Sequence, residues 1–300
     1  MRSVWRGFSN IAWIGTALAV YATFPHTLQA APVQSERLTY ELMLGGLHVG
    51  DAMISLEQTD RDYSTGIKVT ARGVAKMLQN FQADMKGQGH FITAPGGNKL
   101  EPVSYKRQWS TDEVANDMTM TFDPQTRVAV VEERLFNPTT GKALTRDELP
   151  WSKGNQSKPV PPDMRTGALD PMAAFVAARA QIMAQGVTTS GPKSFRVPIY
   201  DGNKRYDVVG KTAAVRVIAV NGVERSLMPL VARIEPVFGF TRDAEDRMRE
   251  AEGKFLFTPD ERFIPVQLTV TNDLGSAVMN LAADCSTDAA PCDNFGRDTQ

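Results

Sequence analysis

The chain has 300 residues, of which 42% are hydrophobic, and a formal net charge of −1 at pH 7. This balance excludes the strongly basic surface of a nucleic-acid-binding protein and the polybasic tract that anionic lipids attract. The length suits one large β-rich domain with a substantial core.

The first thirty residues predict a secretory signal peptide. Arg2 and Arg6 precede a mostly apolar run over residues 11–24, and small residues follow at Ala30 and Ala31. A basic start, a short apolar run and a small-residue exit are typical of a cleaved export signal, and the run is shorter than the ~20 apolar residues of a membrane span. We expect cleavage near Ala30, a periplasmic location, and a mature net charge of −3 from 31 basic and 34 acidic residues.

Alternating apolar residues predict a β-hairpin at the start of the mature chain. Leu38, Tyr40 and Leu42 alternate with polar neighbours, a glycine pair follows at 45–46, and a second alternating run covers residues 49–57. Such alternation is typical of half-buried strands, and a glycine pair favours a tight turn. Similar patterns predict strands at residues 63–71, 81–91, 102–110, 116–123 and 127–133, with one or two helical turns between the first two.

The middle of the chain contains a proline-rich segment followed by the principal helix. Residues 137–166 contain five prolines and no apolar period, so we interpret them as a long exposed loop or linker. Asp170 and Pro171 suit the N-cap and first position of a helix, and Gly186 is a natural stop. We therefore expect a helix at about residues 170–185. Its predicted apolar stripe comprises Met172, Phe175, Val176, Ile182 and Met183.

The remaining sequence predicts mainly strands, and the complete set of predicted elements indicates the fold class. These strands are expected at residues 194–200, 205–210, 213–220, 230–236, 252–258, 263–271 and 276–282, with a solvated loop or short helix at 241–250. Because the helices that would join parallel strands are missing, sequential antiparallel hairpins are favoured. We predict a mainly β domain over residues 31–283: a large curved antiparallel sheet, open barrel or spiral, with the principal helix packed on it.

The sequence offers no motif for catalysis. It lacks a G-x-S-x-G nucleophile elbow, an H-E-x-x-H zinc motif and a glycine-rich phosphate loop. Its acidic pairs lie in turn-like segments that are usually solvated, and His48 and His90 lack the short ligand spacing of a typical zinc site. We therefore predict no catalytic residue, no metal site and no cofactor.

A ligand cavity is the one site that the predicted architecture favours. Met118, Met120 and Phe122 share one strand face, and a single helix is expected to cover a concave sheet incompletely, leaving an apolar pocket beside Phe175. Filling of an ordinary core is the simpler interpretation of the methionines. Arg179 lies on the helix stripe, where it could snorkel at the edge, form a structural ion pair or contact a ligand; we favour snorkelling.

The two cysteines of the chain predict a disulfide in a polar tail over residues 284–300. Cys285 and Cys292 enclose six residues, and no histidine accompanies them. A metal or redox pair is the alternative, but such pairs usually have other spacings. In an oxidising compartment a structural disulfide is favoured, with a modest effect on stability because its loop is short.

Four segments, in this order, resemble one family of exported bacterial proteins. They are LTYELMLGGLHVGDAMISLEQTDRDYSTGIKVTARG with its glycine hairpin, LDPMAAFVAAR with its Asp-Pro helix start, VPIYDGNKRYDV with its Asp-Gly turn, and RFIPVQLTVTNDLGSAVMNLA with its proline-led hairpin. The chain resembles domain-of-unknown-function family 3108 from about residue 36 to about residue 283. The resemblance implies a periplasmic β-sheet protein, similar in shape to half-barrel lipoprotein carriers and to envelope-integrity proteins, and it implies no activity.

Three hypotheses for function remain. The first is a non-catalytic periplasmic protein that binds a protein or glycan partner and supports cell-envelope integrity. The second is a carrier or sensor of an acyl-chain or lipid ligand, held in the concave apolar face. A hydrolase is the third. None of them involves nucleic acid or an integral membrane segment in the mature chain.

Overall fold

The structure is a computed structural model. It describes residues 34–78, 80–94, 97–149, 158–186, 191–272 and 275–286. The predicted signal peptide over residues 1–30 and Cys292 lie outside these ranges. The signal, its cleavage and the Cys285–Cys292 disulfide therefore stay predictions.

Strands dominate the part of the chain that the structure describes. The first half contains β1 (Gln34–Leu44), β2 (Leu47–Gln58), β3 (Asp62–Ala71), β4 (Gln82–Ala94), β5 (Gly97–Ser110), β6 (Ala115–Phe122), β7 (Ala129–Phe136) and β8 (Ala143–Leu144). The second half contains β9 (Ser194–Tyr200), β10 (Arg205–Thr212), β11 (Arg216–Val220), β12 (Val223–Phe238), β13 (Glu252–Phe257), β14 (Pro265–Asn272) and β15 (Gly275–Asp284). The helices are α1 (Gly73–Leu78), α2 (Pro162–Arg165), α3 (Pro171–Ala184) and α4 (Arg242–Glu250), with one 3-10 turn at Arg146–Glu148.

These strands form one antiparallel sheet with its chain ends at the centre. The order runs from β8 down to β1, then to β15, and on through β14, β13, β12 and β10 to β9, with β11 paired to β12. The pairing of β1 with β15 joins the two meanders, and β8 and β9 form the open edges. The predicted fold class, a mainly β protein with a large antiparallel sheet that does not close, is confirmed.

The sheet curves until its two halves meet around α3. This helix contacts β9 at one edge and also β3, β4 and β5 in the other half. Across the same interior, Arg107 of β5 donates a hydrogen bond to the carbonyl oxygen of Asp201 at 3.5 Å. Gly202 packs against Met118 of β6, whose Sδ would lie 2.5 Å from a Cβ at position 202. Strands far apart in the sheet can touch in this way only because the sheet is strongly curved.

The start of α3 follows from its local sequence. The Asp170 side chain accepts hydrogen bonds from the backbone N–H groups of Met172 and Ala173, both at 2.9 Å. Pro171 occupies the first helical turn, where its missing N–H costs nothing. Gln185 caps the other end, and Gly186 follows with a φ of +78°. The predicted helix is therefore confirmed within one residue at each end.

The apolar surface of α3 is broader than the single predicted stripe. Ala173 and Val176 pack in a cluster with residues of β2 and β3. Ala174 and Ile182 pack in another cluster with residues of β9 and β12. A helix inside a curved sheet has protein on several sides, so apolar residues are favoured around most of its circumference.

The proline-rich segment is not simply an exposed loop. Leu149 and Val160 are 7% and 4% exposed and belong to two apolar clusters, so the interpretation as an exposed loop is wrong at these positions. After α2, Leu169 pairs in parallel with Ile199 and exchanges backbone hydrogen bonds of 2.8 Å with Pro198 and Tyr200. This bridge covers part of the β9 edge, which would otherwise expose unpaired backbone groups.

Candidate functional site

An apolar cavity lies between α3 and the strands β9, β10, β12 and β13. Its volume is about 190 Å³, somewhat larger than an engineered apolar cavity of ~150 Å³ that binds benzene. The described side chains that line it are Pro171, Ala174, Phe175, Ala178, Arg179, Ile182, Phe195, Val197, Ile199, Val208, Leu230, Ala232, Phe255, Phe257 and Phe263. A space of this shape and polarity suits a hydrocarbon segment.

Small side chains on α3 create this space. Ala174 and Ala178 line the cavity from the middle of the helix, between Pro171 and Ile182. Residues three or four apart lie on the same helix face, so this spacing directs all four toward the same strands. A larger residue at either alanine would occupy the cavity.

Three phenylalanines form the opposite wall. The rings of Phe257 and Phe263 stack with centroids 4.0 Å apart, and the ring of Phe255 lies 5.8 Å from that of Phe257. Phe263 has a φ of +44°, and its backbone N–H donates to Asp260 at 3.1 Å. A positive φ is unfavourable for a bulky residue, so the surrounding turn holds Phe263 in a conformation that places its ring against Phe257.

The degree of burial indicates where the cavity can be entered. Phe175, Ala178, Val208 and Phe255 are half-buried, whereas deeper lining residues such as Val197 are almost completely buried. Of these half-buried residues, Phe175 and Ala178 lie on α3, and Val208 and Phe255 lie on β10 and β13. A ligand would therefore enter between helix and sheet.

The one charged residue among the described lining side chains takes part in an ion pair. Arg179 lines the cavity, and its Nη1 and Nη2 each donate a hydrogen bond of 2.8 Å to one carboxylate oxygen of Glu36 on β1. The side chains are only 7% and 6% exposed. The favoured prediction that Arg179 snorkels is therefore wrong, and the alternative of a structural ion pair is confirmed. A bidentate partner explains the reversal, because it satisfies the guanidinium without solvent.

Comparison with known proteins identifies the family. A family model described as "Protein of unknown function (DUF3108)" matches residues 39–282. The chain belongs to this family. This chain is also similar to a solved structure, described as a beta-barrel-like protein of domain of unknown function DUF1849 from Brucella abortus. The two chains share 11% sequence identity, and their TM-score is 0.48. The similarity covers 84% of this chain and 97% of the other. No curated protein matches.

The five cavity residues predicted for this DUF3108 protein separate into two groups. Phe175 and Arg179 line the cavity. Met118 and Met120, 2% and 0% exposed, lie in a different cluster with Phe122 packed against it. That part of the interior is filled by large side chains, including Tyr105, Met172 and Tyr200. These methionines therefore act as core residues, which was the simpler of the two interpretations.

Neither His48 nor His90 is among the described residues that line the cavity of the DUF3108 domain. The His48 side chain is hydrogen-bonded to Asp51 at 2.9 Å, and the His90 side chain is hydrogen-bonded to Asp62 at 2.5 Å. Both histidines are exposed. Within the described ranges, no three His, Cys, Asp or Glu side chains are grouped as a metal ion would require. None of the described helices is both long and apolar enough to cross a membrane.

A buried carboxyl group lies at the start of the helix that carries the cavity. Asp170 is completely buried. Burial raises the pKa of this carboxyl to about 6, although the backbone N–H groups of Ala173 and Met172 act in the opposite direction. A Cβ on Gly87 of β4 would lie 3.2 Å from Asp170 Oδ1 and 2.7 Å from the Met172 Cβ. The glycine thus lets β4 approach the helix start closely and keeps water away from the carboxyl group.

Most of the residues that line the cavity were not predicted from the sequence. Phe255 and Phe257 alternate within a predicted strand, so their common face was a usable signal. Phe263 precedes a strand in a turn, and its position depends on backbone conformation. Ala174 and Ala178 gave no signal, because alanine is common in helices for reasons of propensity alone.

Proposed function

We propose that this protein is a non-catalytic periplasmic binding protein that holds an apolar chain, such as part of an acyl chain, between α3 and the curved sheet. The observation that carries the proposal is the cavity of about 190 Å³ with its almost entirely apolar lining. Burial of hydrocarbon in such a space is favourable by roughly 25 cal/mol for each Å² removed from water. The bound compound would link the protein to the lipids of the cell envelope.

The size of the cavity favours a segment of a ligand over a whole lipid. Typical binding sites for drug-sized molecules have ~300–1,000 Å³, and this cavity is smaller. A half-buried rim at Phe175 and Phe255 allows the rest of a chain to extend outward. The function proposed is therefore recognition of the end of a chain, as in a carrier or sensor.

The chemistry of the lining supports a non-catalytic role. Of its described side chains, Arg179 alone is charged, and Glu36 already neutralises it. Nucleophilic and acid–base catalysis need a reactive side chain within hydrogen-bond reach of the substrate. The aliphatic and aromatic side chains that make up the rest of the lining cannot perform these roles.

The periplasmic location in this proposal depends on the sequence of residues 1–30. An export signal fits a role in carrying or sensing an envelope lipid. N-terminal sequencing of the protein from its own cells tests it: we expect a mature chain that starts at Ala31. An intact N-terminus in the membrane fraction would contradict the location.

Analysis of the natural ligand tests the proposed function. The protein would be purified from its own periplasm, extracted with organic solvent and analysed by mass spectrometry, beside Ala178→Phe and Ala180→Phe variants. Ala178 lines the cavity, and Ala180 is exposed on the same helix. We expect one class of apolar compound with the wild type and the Ala180 variant and its loss from the Ala178 variant. The same extract from all three, or no apolar compound, would contradict the proposal.

Binding of a protein partner is a second candidate, favoured by a separate surface. Leu47, Val74 and Met77 are 68%, 65% and 86% exposed at the β1–β2 turn and on the neighbouring α1. Grouped apolar side chains at a surface often mark an interaction site. Cross-linking in cells from a photoreactive residue at position 74, with and without Met77→Lys, tests this candidate: a specific adduct that the lysine variant loses would support it. Unchanged cross-linking would count against it.

A further inference from the structure

The charge of the cavity wall carries information about the ligand. Arg179 is the one charged group among the described lining side chains. Its two bonds to Glu36 use both carboxylate oxygens, at 2.8 Å each. The guanidinium of this lining residue is therefore compensated by the carboxylate of Glu36.

The next charged groups are compensated as well. Arg262 precedes the cavity residue Phe263, and its Nη1 and Nη2 donate to the two carboxylate oxygens of Asp284 at 2.6 and 3.1 Å. Glu36 is close enough to Arg262 to help raise the pKa of that guanidinium, after the larger contribution of Asp284. Each of the two guanidinium groups thus has its own carboxylate partner, and Asp260 adds a weaker negative influence at Arg262.

A compensated wall disfavours a charged ligand group of either sign. An anion that entered would lose its hydration, gain little from a neutralised guanidinium, and approach the carboxylate of Glu36. A cation would lose its hydration and face Arg179. Burial of a charge without its own partner is costly, and like charges brought close together repel each other.

We infer that the cavity accepts the uncharged hydrocarbon part of a ligand and excludes a charged head group of either sign, and that Glu36 sets this selectivity. The inference rests on the proposed function and narrows the ligand class. A free fatty acid with its carboxylate inside the cavity is excluded. A hydrocarbon terminus, or a short neutral alcohol, is accepted.

The test compares three ligands of matched length: 1-hexanol, hexanoate and hexylammonium, at pH 7.5. Their binding would be followed by NMR through the methyl groups of Ile182 and Ile199, which line the cavity. For the wild type we expect 1-hexanol to bind at least about tenfold more tightly than either ion. Equal binding of hexanoate and 1-hexanol would overturn the inference while leaving the proposed function intact. Absence of binding by all three would contradict the proposed function itself.

The Glu36→Gln variant tests the role assigned to Glu36. The amide is similar in size but neutral, so Arg179 would present an uncompensated charge that can bind a carboxylate through two hydrogen bonds. We expect hexanoate to gain at least about tenfold in affinity, with little change for 1-hexanol. If the affinity for hexanoate does not increase in a folded Glu36→Gln protein, the role assigned to Glu36 is wrong.

A second variant keeps the test decisive if the first fails to fold. Glu36→Leu combined with Arg179→Met removes both charges, and replacement of a buried pair by apolar residues is often neutral or stabilising. We expect this double variant to keep the preference for 1-hexanol and to exclude both ions. Binding of hexanoate to the double variant as tight as that of 1-hexanol would overturn the inference.

Discussion

Arg179 on α3 and Glu36 on β1 form a buried, bidentate ion pair across 143 positions of sequence. The pair fixes the helix to the strand at the centre of the sheet, where the two meanders meet through β1 and β15. Arg179 of this pair also lines the apolar cavity. Fold and candidate site therefore share one interaction.

The ion pair predicts a strong asymmetry between single and double substitutions. Glu36→Ala leaves a buried guanidinium without its partner and should lower the free energy of unfolding by about 3–5 kcal/mol. The double replacement Glu36→Leu with Arg179→Met should change it much less. Urea unfolding measures both, with Lys86→Met as control, because Lys86 is 66% exposed beside Asp84. Equal losses in the single and double variants would contradict this expectation.

The placement of Met120 and Phe175 predicts which residue matters more for stability. Met120 is fully buried, so Met120→Ala should cost about 2–5 kcal/mol. Phe175 belongs to the predicted apolar stripe of α3, but it is only half-buried and lines the cavity. Phe175→Ala should therefore cost less than the ~3–5 kcal/mol of a fully buried phenylalanine. Chemical denaturation measures the free energy of unfolding of both variants. A larger decrease for Phe175→Ala than for Met120→Ala would show that Phe175 is a core residue.

How far the sequence predicted the molecule depends on the range of each interaction. The β1–β2 hairpin, the Asp170 cap and most strands follow from neighbouring residues, and they were predicted. The partner of Arg179 was not, because Glu36 is far away in sequence and nothing local indicates which strand will face the helix. Met118 and Met120 were correctly placed on one buried face. Whether a buried face meets a cavity or other side chains depends on the curvature of the whole sheet.

Asp170 predicts a specific dependence of stability on pH. Its pKa is raised by burial to about 6 in the folded state, from an ordinary value of 3.8. The folded protein therefore keeps this proton up to about pH 6, while the unfolded chain releases it near 3.8. Between these values the Asp170 contribution to stability falls as pH rises, by about 3 kcal/mol in total.

The Asp170→Asn variant isolates that contribution. The amide oxygen can still accept the N-cap hydrogen bonds, but it carries no charge. We expect the stability of the variant relative to wild type to increase from pH 4 to pH 7, as measured by urea unfolding at each pH. Parallel curves for the two proteins over this range would show that Asp170 does not titrate in this window.

The predicted disulfide can be examined independently of the cavity. Thiol titration of non-reduced protein exported to the periplasm should find no free thiol at Cys285 or Cys292. Replacement of both by serine should shift the melting temperature by only a few degrees, since ~1 kcal/mol corresponds to ~2–4 °C at this size. Reactive thiols would argue against the bond, and loss of folding would argue against its minor role.

Binding of an uncharged chain inside the cavity is tested most directly by titration of 1-hexanol with methyl NMR on three proteins. In the wild type, the signals of Ile182 and Ile199 should shift to saturation, while Ile54 in a separate cluster should not. The shifts should persist in the Ala180→Phe variant and disappear in Ala178→Phe, whose added ring fills the cavity. No saturable shift in the wild type, or shifts that survive in Ala178→Phe, would contradict binding at this site.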